Sequence, residues 1–130
     1  MNEAFLADAC ALIIFHADAG RGMSAKAMAA MRGGDVAVSA ITIWEITKKV
    51  SAGRLAPLPL GPQGSFTSWL RHHGYRLLPI EPDMAERANA LPPHHADPMD
   101  RMLIAAAELS GRRIITCDRA FAAYNVPVLW

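Results

Sequence analysis

Five brief, mostly apolar runs are spaced along this chain, and a helical pattern fits between most neighbouring pairs of them. The runs are Ala4 to Ala7, Val36 to Ser39, Arg76 to Ile80, Arg113 to Cys117 and a short Val126 to Leu129. Each is apolar on both faces, as a parallel strand sandwiched between helices must be. The alternation therefore predicts an α/β fold with a mostly parallel sheet.

The helices are delimited by their end signals. Ser24 caps AKAMAAMR, which stops at Gly33-Gly34; TIWEITKKV runs to Gly53; and SFTSWLRHH ends at Gly74, with His72 and His73 closing its C-terminus. Pro82 opens PDMAERANAL, which Pro92-Pro93 terminates, and Asp97-Pro98 opens MDRMLIAAAEL, ended by Gly111. The segment Leu55 to Gly64 is the main irregular connection, and its prolines predict a fixed loop. With no repeat and no second composition, residues 1–130 read as a single domain, long enough to bury a core unaided.

Composition narrows the class. A 52% hydrophobic and 19% charged chain is neither disordered nor strongly polar. The longest apolar run, Ala9 to Phe15, is far shorter than the roughly 20 residues of a membrane span. The opening MNEAFLADAC carries acids and no basic residue, unlike a secretory signal, so a cytoplasmic location is expected. Cys10 and Cys117 match no zinc spacing or disulfide framework and read as small buried hydrophobes. A net charge of +1 means that a nucleic-acid binder would need locally concentrated positive charge, or divalent cations, to meet phosphates.

The chemistry lies in the placement of acids. In open parallel sheets ligands bind beyond the carboxyl ends of the strands. Asp8 follows the first strand and Asp118 the fourth; Glu45 lies six residues past the end of the second, within Ser39-x-x-Thr42-x-x-Glu45; Asp100 follows Asp97 in the first turn of a helix. Four carboxylates from four segments thus converge on one rim. Hard cations such as magnesium take a few carboxylates and waters, and a pair of such ions about 4 Å apart can activate water and stabilise the leaving oxygen of a phosphodiester.

Each acid also has a plainer role. Asp97 and Asp100 fit an N-cap with an acid at N3, Asp118 fits a cap on RAFAAY, and Glu45 fits a pair with Lys48 or Lys49. Asp8 has no adjacent basic partner. His94-His95 suits a polar loop better than a zinc site, and Trp44 and Trp69 suit core or partner-face anchors.

The segments FLAD, VSAITIWEI, HHADPMDRMLIAAA, IITCDRAF and VPVLW, in this order, resemble the PIN-domain ribonucleases, most closely VapC-like toxins of bacterial type II toxin-antitoxin pairs. The resemblance implies a three-layer α/β/α sandwich and a magnesium or manganese site formed by Asp8, Glu45, Asp100 and Asp118, with Asp97 in the motif as a further candidate ligand. It also gives Thr116 the role of orienting a carboxylate or a water. It implies an RNA substrate, a homodimer and a cognate VapB-like antitoxin that covers the site. Lys48, Lys49, Arg54, Arg101 and Arg119 follow the acids and are candidates for gripping RNA phosphates. Close relatives often read LLDTH where this chain reads LADAC, so Ala9 and Cys10 replace a hydroxyl and an imidazole that would support Asp8. That departure keeps open a second reading, a PIN fold that binds antitoxin or RNA without cutting. A phosphoacceptor domain is a third, but Lys26, Lys48 and Lys49 are its only lysines and none follows a late strand.

Overall fold

In the computed structural model, which describes residues 3–94 and 96–130, five parallel strands form one sheet. They are β1 (Ala4–Ala7), β2 (Asp35–Ser39), β3 (Arg76–Leu78), β4 (Arg113–Ile115) and β5 (Val128–Leu129), in the spatial order β3-β2-β1-β4-β5. The central strand β1 is in register with both neighbours, Leu6 beside Ala37 on one side and beside Ile114 on the other.

Period-two alternation divides the strand residues between two cores. Phe5, Ala7, Val36, Val38 and Ile115 face one layer, built by α1 (Ala9–Ala17), α2 (Ala25–Gly33), α3 (Ala40–Ser51) and α4 (Phe66–His72). Leu6, Ala37 and Ile114 face the other, built by α5 (Pro82–Ala90), α6 (Pro98–Ser110) and the short 3-10 turn at Arg119–Ala123. Helices on both faces of a parallel sheet give the three-layer α/β/α sandwich.

The strands are shorter than their apolar runs for local reasons. Pro79 has no N–H to extend β3, and Pro127 delays β5 in the same way, although its carbonyl accepts from the Ile114 amide at 3.0 Å. After Ile115 the chain turns its polar side chains toward β1, so Thr116 and Cys117 lie beyond β4. The apolar run after Asp8, to which the sequence assigns no element, is helix α1. It carries no amphipathic signal because its neighbours cover much of its surface, and Asp8 starts it by accepting from the Ala11 amide at 2.9 Å.

The expected helices form, Ser24 and Asp97 cap theirs as expected, and Ser39 and Ser65 prove to be caps as well. Gly111, at φ +67°, ends α6 in a conformation that residues with a Cβ rarely adopt. His73 closes α4, its Nδ1 3.0 Å from the Trp69 carbonyl. Gly61 fixes the loop before α4, where a Cβ would stand 2.3 Å from the Trp69 amide nitrogen. Among the described residues, no helix is long and apolar enough to cross a membrane.

Candidate active site

The parallel pairing of β1 with β4 determines the site. Because the two strands end side by side, the residues that leave them meet at the carboxyl edge of the sheet. Asp8 leaves β1 as the N-cap of α1, 7% exposed, with its amide donating to the Ile115 carbonyl at 3.2 Å. Thr116 leaves β4 equally buried and donates its hydroxyl to Asp8 Oδ2 in a short hydrogen bond. The same hydroxyl oxygen accepts from the Asp118 amide at 3.0 Å. One threonine therefore links the two acids that follow the two strands.

The electrostatics run against ionisation of Asp8. Burial pushes its carboxyl above the ordinary range and the charge of Asp118 adds to this, while hydrogen bonds from Thr116, the Ala11 amide and Cys10 oppose it. Among the described residues no ion pair relieves Asp8. Glu45, partly buried on α3, is raised first by burial and further by the charges of Asp8 and Asp97, with Lys49 acting in the opposite direction. Asp8 thus feels the charge of Asp118, and Glu45 feels the charges of Asp8 and Asp97.

The remaining acids keep their helix-end roles as well. Asp97 caps α6 through the Met99 amide at 2.9 Å, and Asp118 caps the 3-10 turn through the Ala120 amide at 2.9 Å; both are exposed. Asp100 stands in the first turn of α6, partly buried. Ligand and cap are compatible roles, since a carboxylate offers about four lone-pair sites and a cap hydrogen bond uses one of them. Among the described residues, no three His, Cys, Asp or Glu side chains are gathered tightly enough to hold one ion as they stand, and like charges oppose their closer approach. As a donor set, carboxylates beside a buried hydroxyl, with little cationic compensation, suit a hard divalent cation.

The basic candidates divide. Arg101 bonds the carbonyls of Leu91 at 2.8 Å, Pro92 at 3.0 Å and Asn89 at 3.4 Å, tying the end of α5 to α6. Lys48 lies with its ammonium 4.8 Å from the centre of the Trp44 ring, and Arg119 is exposed at the start of the 3-10 turn. Trp44 is itself 52% exposed, so it is no core anchor; Trp69, on α4, is partly buried against His16 of α1. His94 packs edge-on against Tyr124, and His95 lies outside the described residues.

Two features differ from the sequence reading. The cysteines are not inert buried hydrophobes: Cys117 is exposed, and the partly buried Cys10 thiol donates to Asp8 Oδ1 at 3.1 Å while its sulfur accepts the Cys117 amide at 3.1 Å. Burial, the Asp8 charge and a hydrogen bond with the Cys117 thiol push the Cys10 thiol far up, so it remains a donor. Cys10 therefore supplies support to Asp8 that the departure from LLDTH had seemed to remove. The second feature is Thr42, 1% exposed on α3, whose hydroxyl has no hydrogen-bond partner among the described residues. The Ser39-x-x-Thr42-x-x-Glu45 spacing marked its helical face, but an unpaired hydroxyl is a packing outcome that spacing does not reveal.

A parallel α/β/α sandwich with acids gathered where β1 and β4 end defines a class of acid-centred α/β proteins. Within that class the chain belongs to the PIN domain family, whose profile matches residues 5–127. Its fold is similar to that of a toxin-antitoxin complex from Klebsiella pneumoniae, at 22% identity and TM-score 0.67 over 98% of this chain and 97% of that one. It is likewise similar to FitAcB from Neisseria gonorrhoeae (18%, 0.61, 97% and 96%) and to VapBC2 from Rickettsia felis bound to a promoter DNA fragment (9%, 0.67, 98% and 97%). Among curated proteins none matches the chain.

Proposed function

We propose that this chain is a metal-dependent endoribonuclease and the toxin of a toxin-antitoxin pair. The observation that carries the reading is the buried Asp8 carboxylate, held by Thr116 and Cys10 beside further acids, with no ion pair among the described residues to neutralise it. A buried anion held in place against its own desolvation is poised for a cation from outside the chain. Asp8, Glu45, Asp100 and Asp118, with Asp97 beside them, would hold magnesium or manganese, which when bound supplies Lewis-acid stabilisation of charge on a phosphodiester. Thr116 fixes the rotamer of Asp8 and, through the Asp118 amide, the start of the 3-10 turn. Lys48, Lys49 and Arg119 would contact flanking phosphates of the RNA.

The partner reading rests on the similar structures, one of which is a toxin-antitoxin complex. A cognate VapB-like antitoxin and a homodimer belong to this proposal. An apolar groove of about 240 Å³ beside α1, lined by Leu12, Ile13, Leu58, Phe66 and Trp69, offers surface for a partner.

The test is cleavage of end-labelled structured RNA by purified, antitoxin-free protein, with magnesium or manganese, with EDTA, and with Asp8→Asn and Asp100→Asn alongside. Metal-dependent cleavage lost in both variants is expected. A folded wild type that is inert on a broad RNA panel with either metal would favour a non-cleaving PIN module instead.

A further inference from the structure

Cys117 lies between Thr116 and Asp118 in sequence, and the proposed cleavage chemistry gives its thiol no role. The end-by-end arrangement of β1 and β4 nevertheless sets it against Cys10, across more than one hundred residues of chain. Cys10 Sγ is 3.1 Å from the Cys117 amide nitrogen, 3.1 Å from Asp8 Oδ1 and 3.9 Å from Thr116 Oγ1. A disulfide needs an S–S distance of about 2.05 Å and Cβ atoms about 3.8 Å apart. With one sulfur already against the backbone of the other cysteine, side-chain rotation is the main movement required.

We propose that Cys10 and Cys117 form a reversible disulfide under oxidation, and that this bond switches off the acid site by taking Cys10 away from Asp8. The loss of activity rests on the ribonuclease reading; the formation of the bond does not. With a peroxide as oxidant, the exposed Cys117 sulfur attacks the O–O bond and becomes a sulfenic acid; the departing hydroxide takes up the thiol proton and leaves as water. The Cys10 sulfur then attacks the sulfenic sulfur, the S–S bond forms, the S–O bond breaks, and the oxygen leaves as a second water with the Cys10 proton. Two thiols lose two electrons and the peroxide gains them. A dithiol reductant reverses the step.

The bond would act on the site in two ways. Asp8 Oδ1 loses the Cys10 S–H donor, and the Cys117 amide loses its sulfur acceptor, so the backbone between Thr116 and Asp118 is released to follow the new link. Loss of such supporting contacts lowers activity or metal affinity roughly ten- to a hundred-fold.

The experiment uses the whole chain, reduced, freed of metal and treated with hydrogen peroxide. Intact mass, a non-reducing peptide map, RNA cleavage and Mn2+ affinity by electron paramagnetic resonance are read before and after dithiothreitol. The expected result is a mass loss of about 2 Da, a linked Cys10–Cys117 peptide, and a fall of roughly ten-fold or more in cleavage and Mn2+ affinity, all reversed by dithiothreitol. Cys117→Ser, compared with its own untreated sample, should form no linked peptide and lose far less activity. The proposal is overturned if Cys117 is found as sulfinic acid with Cys10 free, if the only link is between two copies of the chain, or if the linked protein still cleaves at the reduced rate. Reduced protein that neither cleaves RNA nor binds Mn2+ sinks the ribonuclease reading and the switch together, whatever the mass shows. Protein that cleaves but forms no internal link sinks the switch alone.

Discussion

Helix α1 carries a titratable group at each end, and the two ends are built differently. Asp8 caps its N-terminus and His16 sits in its last turn, so each has the charge type that the helix dipole favours. At both ends desolvation wins: burial pushes the Asp8 carboxyl up and the His16 imidazole down, so both groups are biased toward neutrality. They differ in what surrounds them. The His16 Nε2 is 2.6 Å from the Tyr75 hydroxyl and its ring packs edge-on against Phe15 and Trp69, a local network that suits a neutral ring. Asp8 receives donors suited to an anion and is flanked by acids that oppose one. An environment that both supports and opposes the same charge is what a cation-binding site requires, whereas one that agrees with itself is structural.

Asp8→Asn is the most direct way to break this contrast. RNA cleavage should fall roughly a hundred-fold or more, while the melting temperature stays level or rises. The Asp8 carboxyl is held above its unfolded value, so its contribution to stability is complete below about pH 4 and is lost as the pH climbs through the folded value. At neutral pH the ionised group therefore weakens the fold, and the amide removes that loss. Magnesium should raise the melting temperature of the wild type and leave the variant unchanged. A variant that is less stable at every pH would show that Asp8 serves chiefly as a cap.

Thr116→Val should have the next largest effect. It leaves buried Asp8 Oδ2 without its donor and the Asp118 amide without its acceptor, at a cost of about 1–3 kcal/mol in stability. Cleavage should fall roughly ten- to a hundred-fold, and Thr116→Ser should recover most of both. Denaturant melts paired with initial rates check it, and equal losses in the serine variant would make the methyl group, and hence packing, the cause.

Much of this site could be read from the residues. The strand-end positions of Asp8 and Asp118 and the capping role of Asp97 follow from local pattern, because chain punctuation and sheet chirality act over short range. The side-by-side placement of β1 and β4 does not, since strand order is a property of the whole sheet, and with it went the contacts of Cys10 with Asp8 and Cys117. Helix α1 was also obscured: seven consecutive apolar residues carry no period, so burial on several sides removed the signal that identifies a helix. Arg101 shows a third limit, as a charge placed after a motif acid has turned to backbone carbonyls just past the end of α5.

Thr42 sharpens the contrast on a smaller scale, since it and Thr116 are both buried hydroxyls but, among the described residues, only Thr116 has partners. Thr42→Val should stabilise the fold by about 1 kcal/mol, because an unpaired buried hydroxyl costs more than a methyl group. If the unpaired group belongs to the site through its face with Glu45, cleavage should fall about ten-fold even as the melting temperature rises. A more stable variant with an unchanged rate would assign Thr42 to packing alone.

The smallest effect is expected at the other end of α1. The His16 imidazole is held below its unfolded value, so its contribution to stability is present above about pH 6.5 and is lost as the pH falls through the folded value. His16 is exposed, so the resulting slope in melting temperature between about pH 7.5 and pH 5 should be shallow. His16→Gln should flatten the slope, and the difference between the two proteins isolates the share of His16. The rate of RNA cleavage should be unchanged, because nothing at this end opposes the form the ring already prefers. A His16→Gln protein that folds but no longer cleaves would erase the distinction between the two ends of the helix, and the aromatic groove would then have to be counted as part of the site.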